Sequence, residues 1–565
     1  MLLTTHYLPL TKQTDCRTPF MPPKFTHACL VLLLLLSTFA LRAQEVYVHV
    51  NNTDLYDFID ELTNSRIIEV NTTIKPYSRT FIAKKLSEAD ARRSELNKRQ
   101  QGDLDFYLKD FNKELKADKN FDKRLDLLYY KDSLFTFSVN PIVGLTYYTN
   151  DTGSFYRRYV GGEFYSYVGK NFGFYASLRD IHESRRLSDP AYLNQAEASN
   201  YKPDTEGGGD YDEIRGGLTY NWSWGSFGLL KDHFVWGDNY HGSNIFSGHQ
   251  PSFTHIKFTM KPVKWFDFNY VHGWLVSDVL DSSRSYYNGN QIRVINQSKY
   301  VASNMFTFTP LKNWSFSIGN SIIYSDQSVN PAYLIPFFFY KSVDHSQTSS
   351  GSNFLGQNSQ MFFNISSRAI KKTHLYMSVF IDELAVGRAL DPDQQTNFVS
   401  LKVGGRVSNI LNKNISVTAE YTRNNPGVYR HYLLTGTFAN SSYNMGHYMG
   451  ENAQEIYLSV SARPIAKLVV EASYTFAQKG QEYNYTGSSK DTTNDGKGLP
   501  FIDLVYWESS EMGLSARYQI LNDCWLSAGV LMSDKTGTTA QLDQYTMPYY
   551  KGKKTTISFG ANVSF

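Results

Sequence analysis

From Leu134 onward the chain alternates apolar residues with polar or small ones, position by position. The last stretch is the clearest. Ile557, Phe559, Ala561, Val563 and Phe565 fall on one side of an extended chain, and Thr556, Ser558, Gly560, Asn562 and Ser564 on the other. Period two predicts strands with one apolar face. The same pattern sets Ile415, Val417, Ala419 and Tyr421 against Ser416, Thr418, Glu420 and Thr422. It also sets Leu468, Val470, Ala472, Tyr474 and Phe476 against Glu471, Ser473 and Thr475. Tight connections are expected near 170–171, 224–226, 262–264, 312–313, 371–373, 411–414, 464–467 and 521–523. Long polar segments alternate with them, near 149–154, 185–210, 238–251, 280–295, 326–356, 385–396, 425–452, 479–501 and 534–552. Eight turns and nine loops separate eighteen strands. Short turns at one end and long loops at the other predict an all-β transmembrane fold, an antiparallel outer-membrane β-barrel of about 18 strands. Its last strand pairs with the strand from Leu134 and so removes the sheet edge.

If apolar side chains face lipid, then Glu213, Arg215, Lys402, Arg406, Glu420 and Glu471 face the lumen. The reverse would cost about 2–4 kcal/mol for each Lys or Arg at mid-bilayer. A lumen carrying both signs of charge can cross-link itself, which suggests a narrow or plugged interior. The stretch Phe227–Trp236 alternates poorly, as a bulge or a strand end would. The aromatic run Ile335-Pro336-Phe337-Phe338-Phe339-Tyr340 lies inside a predicted outer loop. Three placements are open to it, a plug in the barrel mouth, packing on neighbouring loops, or contact with lipid, and the plug or loop packing is expected.

Before the strands the period is 3.6. Leu55, Phe58, Ile59 and Leu62 share one helical face behind Asn52 and Thr53. Ser78 can cap a second helix, with Phe81, Ile82 and Leu86, and Leu104, Tyr107, Leu108, Phe111 and Leu115 mark a third. Lys84, Lys85, Arg92 and Arg93 read as solvated helix faces. Upstream, Ala28–Leu41 is an apolar run behind Lys24, too short for a comfortable span and suited to a signal-peptide core. The expected organisation is a signal peptide with an upstream extension over 1–43, a small N-terminal α-helical periplasmic domain over 44–130, and the barrel over 131–565.

Composition adds bounds. Lys plus Arg total 56 against 53 Asp plus Glu, with no basic block to suggest nucleic acid. Aromatics are 15% of residues while mean hydropathy is −0.40, a combination that fits Tyr and Trp girdles around a polar lumen. Cys524 is the only cysteine beyond the signal segment, so no intramolecular disulfide or thiolate cluster is expected. His182-Glu183, Asp232-His233 and Asp344-His345 are adjacent pairs that point to opposite faces of a strand. No catalytic set, metal site or cofactor is expected, and the chain reads as non-enzymatic.

Two stretches resemble the capsule-assembly Wzi family of Gram-negative outer-membrane proteins. One is Leu55-Tyr-Asp-Phe-Ile-Asp-Glu-Leu62 with Arg66-Ile-Ile68, Pro76-Tyr-Ser78 and Phe81-Ile-Ala83. The other is Phe234-Val-Trp236-Gly237-Asp238-Asn239-Tyr240-His241-Gly242-Ser243-Asn244-Ile245, running on to Pro251. In it Trp236, Gly237, Gly242, Ser243 and Pro251 match the family pattern, while Asp238-Asn239 stands where Pro-Gly is usual. The resemblance implies an eighteen-stranded barrel with a periplasmic helical bundle, and a role in attaching capsular polysaccharide as a lectin rather than an exporter.

Polysaccharide binding needs aromatic faces for sugar rings, and charged or amide groups for hydroxyls and uronates. The predicted outer loops supply Trp236, Asp238, Tyr240 and His241, and then Tyr429, Arg430 and His431. The alternative for each is packing within a loop lid or an aromatic girdle. Phe559 and Phe565 are expected to signal to the barrel-assembly machinery. The expected partners are surface polysaccharide, outer-membrane lipid and that machinery, for a monomer with extracellular loops. The alternative reading is an outer-membrane channel or a barrel associated with secretion or motility.

Overall fold

The computed structural model describes residues 44–116, 121–196, 200–347, 356–384, 387, 396–483 and 498–564. The expected signal segment, residues 1–43, and the terminal Phe565 lie outside them. Eighteen antiparallel strands close into one barrel. They are β1 (Phe135–Asn150), β2 (Gly153–Val168), β3 (Phe172–Glu183), β4 (Gly209–Trp222), β5 (Gly225–Asp232) and β6 (Phe253–Val263). Next come β7 (Phe266–Leu275), β8 (Lys299–Phe308), β9 (Trp314–Ser325), β10 (Asn358–Ser367), β11 (Thr373–Glu383) and β12 (Phe398–Ile410). The last six are β13 (Ile415–Asn424), β14 (Ala453–Ala462), β15 (Leu468–Lys479), β16 (Trp507–Leu521), β17 (Cys524–Gly537) and β18 (Gly552–Val563).

The closing seam joins β18 to β1, from Ile557 opposite Thr149 to Val563 opposite Val143. Below it, Leu128–Lys131 pairs with the remaining edge of β1. Alternation decides the two faces. Leu145, Val403, Leu375 and Phe559 are exposed on the outside, whereas Lys402, Arg406, Glu420, Glu213 and Arg215 are buried inside. Loop lengths match the expected asymmetry with one correction. The connection near 149–154 is a two-residue turn, because β1 and β2 run to Asn150 and from Gly153. The irregularity near Phe227–Trp236 is a strand end. β5 stops at Asp232 and the chain then turns into the lumen.

Ahead of the barrel lie α1 (Thr53–Asn64), α2 (Arg79–Asp90) and α3 (Lys98–Leu115). Ser78 Oγ accepts from the Phe81 N–H at 3.2 Å, and Asn97 with Gln100 forms a reciprocal cap on α3. Leu55, Phe58, Leu62, Ile82, Leu86, Leu104 and Phe111 build the bundle core. The bundle packs against the turn end of the barrel. One row of α1 is acidic, and it meets barrel arginines: Asp54 with Arg517 at 2.9 Å, Asp57 with Arg406 at 2.8 Å, and Asp60 with Arg368 at 2.9 Å. Backbone contacts add to this, since the Lys372 N–H donates to Asn64 O at 2.6 Å and the Lys467 N–H to Asp103 Oδ1 at 2.7 Å.

Candidate functional site

The segment between β5 and β6, residues 233–252, folds into the lumen. Its Val235–Trp236 forms a two-stranded sheet with Ile74–Lys75, from the link between α1 and α2. The helical domain and the inward loop thus grip each other inside the barrel. Trp236 is 1% exposed and its ring meets Phe246 at 5.2 Å, and Phe234 and Phe362 each at 5.9 Å. Val271, Val301, Met305, Ile323, Phe380 and Phe398 extend this apolar core along the inner faces of β7, β8, β9, β11 and β12.

The Trp-Gly…Gly-Ser stretch has a conformational logic. Gly237 and Gly242 take φ of +92° and +74°, a region that side chains with a Cβ rarely adopt. A Cβ on Gly237 would also sit 3.2 Å from Ile245 Cδ1. Ser243 Oγ donates to the Trp236 carbonyl at 2.5 Å and accepts from the Ile245 N–H at 3.1 Å. Together these turn the chain back on itself around the buried tryptophan.

Towards the helical domain the loop enters a polar core. The Tyr240 hydroxyl donates to Asp60 Oδ2 at 2.6 Å and lies 2.8 Å from His374 Nδ1. Arg406 stacks on the Tyr240 ring at 3.8 Å. The Tyr240 N–H donates to Glu420 Oε1 at 2.7 Å, and Glu420 also takes Lys402 Nζ at 2.9 Å and the Tyr376 hydroxyl. Asp238 accepts from Asn364 Nδ2 at 2.7 Å. His241 lies flat on Tyr457 at 3.9 Å and faces Glu455 at 3.7 Å. The mixed charges expected in the lumen therefore pair with one another and with the plug, which satisfies buried ions that would otherwise be costly.

Burial overrides the expected placement of the glycan candidates. Trp236, Asp238, Tyr240 and His241 belong to this interior rather than to an outer loop. Tyr429 is also buried, with its hydroxyl on the Asn244 carbonyl at 2.7 Å. His431 is half-buried, its ring tilted against that of Tyr432 at 4.0 Å. Arg430 keeps 39% of its side chain exposed, between Glu451 and Glu482. Phe559 points outward from β18 at 59% exposure.

Two features were missed in the sequence. Ser366 Oγ lies 2.8 Å from His374 Nε2, and that histidine meets the Tyr240 hydroxyl, which donates to Asp60. Ser366 and His374 sit on neighbouring strands, Tyr240 in the inward loop and Asp60 on α1, so no local spacing marks them. These contacts join plug, wall and helical domain, beside a cavity of about 40 Å³. The second is an exposed hairpin between β7 and β8, Tyr286–Asn288 with Gln291–Arg293, where Tyr287 is 76% exposed and Tyr286 stands opposite Arg293. Its signal was legible: Tyr-Tyr-Asn-Gly-Asn, with Gly289 at φ +64°. Among the described residues no group of His, Cys, Asp or Glu has metal-holding geometry.

No protein-family model matches the chain, and no curated protein sequence matches it. Solved structures do. Wzi, an outer membrane protein involved in group 1 capsule assembly in Escherichia coli and a carbohydrate-binding β-barrel, aligns with a TM-score of 0.54. The alignment has 11% identity and covers 92% of this chain and 99% of that one. OpdK of Pseudomonas aeruginosa aligns at TM-score 0.41 and 8% identity, over 76% of this chain and 98% of that one. OccAB2 of Acinetobacter baumannii aligns at TM-score 0.40 and 10% identity, over 75% of this chain and 98% of that one. At 11% identity the likeness to Wzi is one of fold, and the chain is an 18-stranded outer-membrane-type β-barrel similar in architecture to that protein.

Proposed function

We propose that this chain is a non-conducting, non-enzymatic outer-membrane barrel that binds surface polysaccharide, with its loops outside the cell and its helical domain in the periplasm. One observation carries this reading. Residues 233–252 cross the lumen, from His233 beside Glu213 on β4 to His241 facing Glu455 on β14, and Val235–Trp236 stitches them to Ile74–Lys75 of the helical domain. A conducting pore needs a continuous aqueous path, and a segment that crosses the lumen, with an apolar core packed on the inner wall from β6 to β12, opposes one. The work is then left to the loop-end surface. The fold similarity to a carbohydrate-binding barrel supports the same assignment, although function belongs to the site and not to the fold.

The buried aromatics are unavailable to a glycan. The exposed set moves the contact to the Tyr286–Arg293 hairpin: a tyrosine face for stacking, and the Arg293 guanidinium for carboxylated sugars. Binding of the reconstituted monomer to a glycan array tests this. Binding to acidic polysaccharides is expected, weakened by Tyr287→Ala and Arg293→Ala and unaffected by changes at Tyr429. A large, steady current from the protein in planar bilayers would instead favour the channel reading, and full cell-associated polysaccharide after gene deletion would sink the attachment role.

A further inference from the structure

The β9–β10 connection does not plug the mouth as its sequence suggested; it lies on the outside of the wall. On β7, β8 and β9, Val271, Val301, Met305 and Ile323 point into the lumenal core. Alternation then places Phe268, Tyr270, Ala302, Asn304, Asn320, Ile322 and Tyr324 on the outer face. Outer positions elsewhere are open, such as Leu375 at 50% exposure, yet this set is fully buried. The cover is residues 331–347. Phe337 stacks on Phe268 at 4.7 Å, and Tyr333 packs on Tyr324 at 4.8 Å. Phe268 is the third residue of β7 from its turn end, and Asn304 lies mid-way along β8. The strap therefore descends most of the height of the wall.

We infer that the apolar stretch of this strap, residues 334–340, is immersed in the hydrocarbon of the bilayer, with lipid acyl chains as the partner of its outer side. Irregular backbone survives at membrane depth only where its polar groups are satisfied by protein. The wall supplies partners for several of these groups. Asn304 Nδ2 donates to the carbonyls of Pro336 and Phe338 at 2.8 and 2.9 Å. Asn320 Oδ1 accepts from the Tyr340 N–H at 2.9 Å, and the Tyr270 hydroxyl donates to the Tyr333 carbonyl at 2.9 Å. Pro336 has no N–H to satisfy. Asn304 and Asn320 are cross-strand neighbours joined at 2.7 Å, a pair of amides on a face where bare amides would be costly. The other side of this stretch is what hydrocarbon accepts: Leu334, Ile335, Phe337, Phe338 and Phe339 are 39 to 50% exposed, and the exposed polar residues of the strap, Lys341, Ser342, His345, Ser346 and Gln347, all follow it. This inference rests on the transmembrane fold and is independent of any glycan.

Spin labels in bilayer-reconstituted protein test it, placed at Phe338→Cys and Phe339→Cys in a Cys524→Ser background. Both are expected to match a label at Leu375→Cys: accessible to oxygen, shielded from a water-soluble nickel chelate. A label at Tyr287→Cys reports the aqueous extreme. Chelate accessibility at 338 and 339 like that at 287 overturns the inference. Dipolar broadening between labels on two copies also overturns it, because a second copy would then occupy the face. Asn304→Leu with Asn320→Leu removes the donors, and the label at 338 should lose its oxygen-rich signature; an unchanged signature would show that the amides do not seat the strap.

Discussion

Trp236→Ala separates a tryptophan that holds the plug from one that holds a sugar. The ring is 1% exposed, with three aromatic neighbours between 5.2 and 5.9 Å and a backbone paired to Ile74. Truncating a large buried aromatic to alanine costs about 3–5 kcal/mol. The barrel wall keeps its own ladder hydrogen bonds, so the cost falls on seating of the loop. At about 1.4 kcal/mol per tenfold, the fraction of molecules with an unseated plug should rise about a hundred- to a few thousand-fold. The assay is single-channel recording, with heat-modifiable gel mobility as a control for an intact barrel. Folded Trp236→Ala protein is expected to show intermittent openings where the parent is silent, with glycan binding retained. A folded variant as silent and as heat-resistant as the parent would refute the packing argument. Loss of glycan binding with the lumen still closed would return Trp236 to the binding site.

Three further outcomes follow from the same geometry. Lys402→Met strands Glu420 in a dry interior and should lower unfolding stability by about 3–5 kcal/mol, whereas Lys402→Met with Glu420→Gln should recover much of that in denaturant titrations. Gly237→Ala forces a Cβ residue into a left-handed conformation against Ile245, at a cost of about 1–2 kcal/mol read from the unfolding midpoint; an unchanged midpoint would show that the turn tolerates it. Burial alone would raise the carboxyls of Asp57 and Asp60, but Arg406 and Arg368 beside them hold both below the ordinary carboxylate range. Their folded values are depressed, so their stabilisation is complete above about pH 4 and is lost as pH falls below it. Protease sensitivity of residues 44–130 should therefore stay flat down to about pH 5 and rise towards pH 3, and a flat profile throughout would count against these pairs as the clasp.

Local pattern carried most of the architecture. Period two in Leu468–Phe476 or Ile557–Val563 states which side meets lipid, because a strand's faces follow from its own residues whatever it pairs with. The tight turns and helix caps are local too, and Ser78 sits where its spacing from Phe81 places it. The lumenal position of Lys402, Arg406 and Glu420 followed from the cost of a charge in lipid. The site was less legible. Trp236, Tyr240 and His241 have the composition of a sugar-binding loop, and nothing within ten residues says that the loop turns inward.

What the sequence by itself determined, then, is a closed transmembrane sheet of about eighteen strands behind a helical segment, since alternation, turn spacing and loop lengths are short-range properties. What only the tertiary structure decided is the direction each long loop takes. Residues 233–252 go in because Ile74–Lys75, some 160 positions earlier, offer Val235–Trp236 a strand to pair with. Residues 331–347 go out because Asn304 and Asn320 offer donors and acceptors on the lipid side. Both outcomes depend on partners that chain order separates and barrel closure brings together, so no local period could have announced them.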